Sequence, residues 1–197
     1  MNKFSNTVIL ASSSPRRKEI LDEMGVKYEV IPADIDESEI KSRLPFLLVK
    51  KLADAKAEHI ACEHREDTVI AADTIVVLDG KVYGKPHDRA RAFEMLKSLN
   101  GRTHIVYTGV CVTCKGQKKV FCVKSLVTFK RLTDEQIYAY IDDCKPFDKA
   151  GAYGIQDKRI VKKYSGSYSN IMGLPKEKLG DILVRVGVIN GYNRTID

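Results

Sequence analysis

Thr68-Val69-Ile70-Ala71-Ala72-Asp73-Thr74-Ile75-Val76-Val77-Leu78 is a near-continuous apolar run closed by Asp79-Gly80. A stretch rich in β-branched residues and stopped by a turn dipeptide reads as a central strand entering a hairpin. One residue breaks the run. Asp73 places a carboxylate in the most hydrophobic segment of the chain, and a buried carboxylate must be paired, bind a metal or sit at the mouth of a site. Its position shifts the balance from a structural to a functional role.

Outward from this strand, strands and helices follow one another. Residues 8–11 read as a first buried strand and residues 15–24 as a helix with Ile20, Leu21 and Met24 on one face and Gly25 ending it. Residues 28–31 form a second strand. Residues 44–62 are helical, with Leu48, Leu52, Ala55 and Ala57 apolar and Lys50, Lys51, Asp54 and Glu58 facing out. Residues 88–99 form a helix closed by Asn100-Gly101, and residues 105–114 and 120–129 an antiparallel pair joined through Lys115-Gly116-Gln117-Lys118. Residues 133–141 begin with an N-cap, followed by Glu135, and read as helix. Residues 146–173 read as loop with a short strand near 159–161, and residues 176–186 close as a helix. With no repeat or linker, residues 1–197 are expected to form one α/β domain, a twisted mixed sheet flanked by helices.

A chain of 197 residues that is 44% hydrophobic and 30% charged can bury one substantial core, shared by one domain or by two lobes on a common sheet. No apolar run approaches the roughly 20 residues a membrane helix needs, and Met1 to Asn6 lack a signal-peptide core. The expectation is a soluble cytoplasmic protein with no membrane partner. Lys and Arg number 33 against 26 Asp and Glu, a net charge of +7 that favours a polyanionic partner, nucleotide or nucleic acid. The basic residues are dispersed and no nucleic-acid-binding motif is visible, which favours the phosphates of a small ligand. Of the five cysteines, only Cys111 and Cys114 are close, and they lie three apart in a predicted strand with no second ligand pair. That argues against structural zinc and for reduced, mostly buried thiols.

Four further segments carry candidate chemistry. Ala11-Ser12-Ser13-Ser14-Pro15-Arg16-Arg17-Lys18 joins the first strand to the first helix. Ser14 is a suitable N-cap and Pro15 a suitable first helical residue, so the following amides point at an anion, while Arg16 and Arg17 oppose the helix dipole unless a negative ligand arrives. Asp34-Ile35-Asp36-Glu37 is a solvated acidic loop or, with Asp73, half of a Mg²⁺ site completed by phosphate oxygens. Lys85, in Gly84-Lys85-Pro86, follows a hairpin and can be aimed; Lys56 on its own reads as a snorkelling surface lysine. Gly151-Ala152-Tyr153-Gly154-Ile155-Gln156 and Gly166-Ser167-Tyr168-Ser169-Asn170 are loops with side chains able to read a base edge, and neither matches a Rossmann or P-loop pattern.

In order along the chain, residues 11–21, Ala72-Asp73-Thr74-Ile75-Val76, Gly84-Lys85-Pro86, residues 100–109 and residues 148–156 resemble the Maf family of nucleoside triphosphate pyrophosphatases. The resemblance implies a Maf/ITPase-like fold, elongated and with a central cleft. It also implies hydrolysis of a surplus or modified nucleoside triphosphate to monophosphate and pyrophosphate with a divalent cation, Mg²⁺ or Mn²⁺. By that resemblance Arg16, Arg17, Lys56 and Lys85 are phosphate residues, Glu37 and Asp73 hold the metal, and Asp73 is the proton acceptor. Ser14 belongs to the same substrate-binding junction. Thr74, Gln156 and Arg16 match positions tied to substrate choice. Residues 151–156 followed by 166–175 are similar to the branch preferring dTTP and UTP; a branch acting on 7-methyl-GTP lacks the Tyr-Gly-Ile-Gln run. Asp157 stands where the family commonly has glycine, and Ile171-Met172 where two valines are common. The rival reading is a nucleotide sensor or nucleic-acid-binding regulator of cell division without turnover. A homodimer is compatible with the sequence, which does not set the oligomeric state.

Overall fold

The computed structural model describes residues 7–191, so Met1 to Asn6 lie outside the described residues. The elements are β1 (Val8–Leu10), α1 (Pro15–Glu23), β2 (Glu29–Val30), α2 (Pro45–Ala61), β3 (Thr68–Leu78), β4 (Lys81–Tyr83), α3 (Arg89–Leu99), β5 (Thr103–Cys114), β6 (Gln117–Phe129), α4 (Asp134–Cys144), β7 (Val161–Ser165), α5 (Tyr168–Met172) and α6 (Lys176–Arg185). Seven strands form one mixed sheet in the order β2-β1-β3-β5-β6-β7, with β4 pairing β3 off this path. β1 runs parallel to β2 and β3, and the other pairs are antiparallel.

The open site of this sheet lies on β3. Along one edge β3 is paired continuously with β5, from Thr68 opposite Cys114 to Val77 opposite Ile105. Along the other, β1 covers Thr68 to Ile70 and β4 covers Val76 to Leu78. Residues 71–75 between them have no strand partner on that edge among the described residues, and Asp73 and Thr74 fall in this gap. Strand alternation sends those two side chains to opposite faces. Val69, Ala71, Ile75 and Val77 share the face of Asp73 and pack beneath α2. On the face of Thr74, Ile70 and Ala72 pack with α1 and α6, whereas Val76 and Leu78 pack with α3 and α4. Thr74 thus stands where two hydrophobic clusters part.

Gly109 lies opposite Asp73 in the β3–β5 register. A Cβ there would stand 2.3 Å from the Val49 carbonyl oxygen, so glycine is what lets α2 approach the sheet at this level. The buried stripe of α2 is Val49, Leu52, Ala53, Lys56, Ala57 and Ile60, a helical repeat that includes a lysine.

Several sequence expectations need correction. β2 is only Glu29–Val30 and both residues are exposed. β5 and β6 are longer than expected and meet in a two-residue turn, with Lys115 and Gly116 at φ 48° and 76°. The capping box of α4 pairs Thr133 with Gln136, not with Glu135. The last strand is displaced to Val161–Ser165, and α5 occupies part of the expected loop. All five cysteines are free, but Cys62 is exposed and Cys122 and Cys144 are half-buried, so only Cys111 and Cys114 are buried.

Candidate active site

A cleft of about 500 Å³ opens at the gap in β3 and is lined by Ser14, Arg16, Arg17, Glu37, Lys56, Asp73, Thr74, Lys85 and Gln156. The fold therefore gathers in one place the residues that the resemblance assigned to the site, from six separate segments, whereas none of residues 166–170, expected to read a base edge, lines it, and Ser169 and Asn170 are buried. The size suits a nucleotide-sized ligand.

On the α2 face, Lys56 directs its Nζ to Asp73 Oδ1 at 2.7 Å and to Glu37 Oε1 at 2.8 Å. Lys56 is not a snorkelling surface residue. Its place in the buried stripe delivers the ammonium into the sheet gap, where it gathers both carboxylates about one positive charge. Asp73 Oδ2 makes no hydrogen bond among the described residues, so the carboxylate keeps one oxygen for another proton donor. Glu37, in a short 3₁₀ turn capped by Asp36, is half-exposed.

On the opposite face Arg17 is tied into the protein. It donates from Nε to the Gly173 carbonyl (2.9 Å), from Nη1 to Ser12 Oγ (2.8 Å) and from Nη2 to Thr74 Oγ1 (3.4 Å). Burial lowers its guanidinium below the ordinary arginine value, against the pull of Asp73 and Glu37, with Arg16 adding to the lowering. Thr108 donates its hydroxyl hydrogen to the Asn170 carbonyl at 2.8 Å, so in the 3.0 Å Thr74–Thr108 contact Thr74 is the donor. A directed chain runs Arg17, Thr74, Thr108, Asn170. The Thr74 hydroxyl is spent on this chain, and Thr108 is a contributor that sequence reading missed because a threonine in a strand carries no signal.

Arg16 reaches across the cleft and donates from Nη1 to Asp148 Oδ2 (2.8 Å) and from Nη2 to the Asp148 carbonyl (3.3 Å). Lys149 Nζ reaches the second oxygen of Asp148 at 2.6 Å. Burial would raise the Asp148 carboxyl, but hydrogen bonds from Lys149 and Arg16 outweigh it and hold the group below the usual carboxylate range. Ser14 occupies the N-cap position of α1, but its side chain accepts no capping hydrogen bond, contrary to expectation. The first turn of α1 also lacks an acidic residue, but its amides are not all turned to an anion as expected: those of Arg17 and Lys18 donate to the Ser14 carbonyl at 3.2 and 3.3 Å, and that of Ser14 to Ser12 Oγ at 3.3 Å. Lys85 and Gln156 are exposed at the rim.

The model of the family described as Maf-like protein matches residues 7–186. The chain belongs to the Maf-like family. A protein of Clostridioides difficile named dTTP/UTP pyrophosphatase is 46% identical over 187 residues, covering 93% of this chain and 96% of its own. One of the same name from Carboxydothermus hydrogenoformans is 48% identical over 176 residues, covering 87% and 94%. Among solved structures, a HAM1 protein from Coxiella burnetii superposes with a TM-score of 0.54 at 14% identity, covering 91% of this Maf-like chain and 99% of that one. The last comparison shows that the fold is shared and nothing more.

Proposed function

We propose that this Maf-like chain hydrolyses dTTP and UTP to the monophosphate and pyrophosphate, clearing surplus or modified pyrimidine nucleotides. The observation that carries the reading is the gap in β3. It sets a carboxylate with one unused oxygen among Lys56, Arg16, Arg17 and Lys85, with Gln156 at the rim. The names of relatives matching nearly the whole chain support the substrate class.

In this account Asp73 accepts the proton of the water that attacks the α-phosphorus. Arg16, Arg17 and Lys85 neutralise the triphosphate, most effectively where charge gathers on the leaving pyrophosphate. Glu37 and Asp73 already converge on a single positive charge, the Lys56 ammonium, and offer hard oxygen donors. No group of three or more His, Cys, Asp or Glu side chains is assembled for a metal among the described residues. The donor set fits a hard divalent cation that takes one or two carboxylates, with phosphate and water supplying the rest. Bound there, Mg²⁺ or Mn²⁺ would neutralise phosphate charge as a Lewis acid. Arg16 spans the cleft to Asp148, which Lys149 beside it also holds. No helix among the described residues is long and apolar enough to cross a membrane.

The test is a panel of UTP, dTTP, CTP, GTP and ATP with purified protein, in Mg²⁺ and in excess EDTA. UTP and dTTP are expected to give monophosphate and pyrophosphate with the metal only. Release of single orthophosphate, or full activity in EDTA, would overturn the reading.

A further inference from the structure

The segment around α5 meets Arg17 by two routes. The direct one is the Gly173 carbonyl, which accepts from Arg17 Nε at 2.9 Å. Gly173 closes α5 at φ 114°, and a Cβ there would stand 3.3 Å from Thr74 Oγ1 and 3.6 Å from Arg17 Nε, so a bare backbone admits both side chains. The indirect route starts at Asn170, whose carbonyl accepts the Thr108 hydroxyl hydrogen at 2.8 Å. Asn170 is itself pinned. Its amide donates to Ser167 Oγ (3.0 Å) and its Nδ2 to Ser125 Oγ (2.9 Å) and the Val106 carbonyl (3.4 Å), while Ser125 Oγ donates to the Ser167 carbonyl (3.1 Å). Thr108 is wholly buried and stands opposite Thr74 in the β3–β5 register. With its own hydrogen spent on Asn170 it can only accept from Thr74, and Thr74 then turns a lone pair to Arg17 Nη2.

The consequence lies in what Arg17 keeps. A guanidinium has five N–H donors, and three of them go to Gly173, Ser12 and Thr74, all uncharged acceptors. Two donors remain, one on each Nη, on a residue that lines the cleft. Arg16, by contrast, is paired with the Asp148 carboxylate. A Thr74 hydroxyl free to rotate could turn its hydrogen toward Nη2, and the guanidinium would lose that hold. Resting on the proposed reading of the cleft, we infer that Thr108, which does not line the cleft, is a positioning residue for Arg17: by drawing the Thr74 hydroxyl hydrogen to itself, it holds the guanidinium in place with two N–H donors left for a phosphate. A fork already fixed loses less freedom when the anion binds. The serine-rich segment 166–170 thus serves the site from behind, through Asn170, without touching a base.

The experiment is a double-mutant cycle, read by calorimetric titration of pyrophosphate in Mg²⁺ and again by kcat/KM for UTP. Thr108→Val keeps the shape and removes the hydroxyl. It is expected to weaken pyrophosphate binding and to lower kcat/KM about tenfold, the worth of one net hydrogen bond. Thr108→Ser, which keeps the hydroxyl, is expected to recover most of both. In the Arg17→Lys background the same Thr108→Val change is expected to alter either quantity by less than about twofold, because lysine has no fork for Thr74 to hold. Thermal melts establish that each variant is folded at the assay temperature, and Thr108→Ala takes the place of Thr108→Val if that variant is not. Equal losses in the two backgrounds overturn the inference, since a purely structural role does not depend on Arg17. An unchanged Thr108→Val, or a Thr108→Ser no better than Thr108→Val, overturns it as well. Pyrophosphate that binds Arg17→Lys as tightly as wild type overturns the place of Arg17 in the cleft and the inference with it. A protein that shows the expected cycle with pyrophosphate but leaves UTP intact overturns the proposed reaction alone.

Discussion

At the scale of single residues, the account turns on a carboxylate that strand pattern would make apolar. Asp73 sits where β3 has lost a neighbour on one edge, and it pairs there with Lys56, which the buried stripe of α2 delivers. Asn at this position is nearly isosteric and keeps an acceptor for Lys56, but it cannot take a proton from water. Asp73→Asn is therefore expected to lower kcat by roughly a hundredfold to ten-thousandfold, the usual cost of losing a general base, while pyrophosphate still binds. Steady-state kinetics and pyrophosphate inhibition measure the two effects separately, and a rate near wild type would move the base elsewhere, with Glu37 next in line. The charges were easier to foresee than their partners. Arg16, Arg17 and Lys85 stood out from sequence, yet nothing there showed that Arg17 spends three donors on Ser12, Thr74 and Gly173, or that Arg16 crosses to Asp148.

At the scale of elements, α2 and β5 set the site through one close approach. Alanine at Gly109 would put a Cβ 2.3 Å from the Val49 carbonyl oxygen and 2.8 Å from the Lys50 nitrogen, atoms that cannot rotate away. The helix must lift, and Lys56, two turns further along the same face, must move with it. Overpacking of this kind typically costs about 1–3 kcal/mol, so Gly109→Ala is expected to lower Tm by about 2–12 °C. It should also slow turnover beyond what the fraction unfolded explains; thermal melts and kinetics on the same preparation decide this, and wild-type values in both would show that α2 is not seated by Gly109. The long buried elements were legible because their apolar pattern is strong: β3 and α3 were foreseen to within a residue, although Asp88, expected as the first helical residue, is instead the cap of α3. Lys56 was misread because its apolar neighbours Leu52, Ala53, Ala57 and Ile60 were not aligned with it at helical spacing. β7 was displaced because an edge strand of mostly exposed residues, Val161-Lys162-Lys163-Tyr164-Ser165, has no alternation to find. The β5–β6 turn was drawn too long because Lys115, not the usual Asn or Asp, takes the positive φ beside Gly116.

At the scale of the whole molecule, one mixed sheet carries two apolar clusters on the same face, one under α1 and α6 and one under α3 and α4, and the cleft lies where they separate at Thr74. The net charge of +7 suits a tetra-anionic substrate, and the cations lining the cleft come from both sides of it. Arg16 and Asp148 join the two sides at the rim, so the ligand that draws Arg16 also bears on the wall that carries the Gln156 turn. In the proposed reaction water attacks the α-phosphorus. This is tested most directly by running the reaction on UTP in ¹⁸O-labelled water with Mg²⁺ and weighing the products. The account predicts one ¹⁸O in the UMP and unlabelled pyrophosphate; label in the pyrophosphate, or orthophosphate as the labelled product, would contradict it.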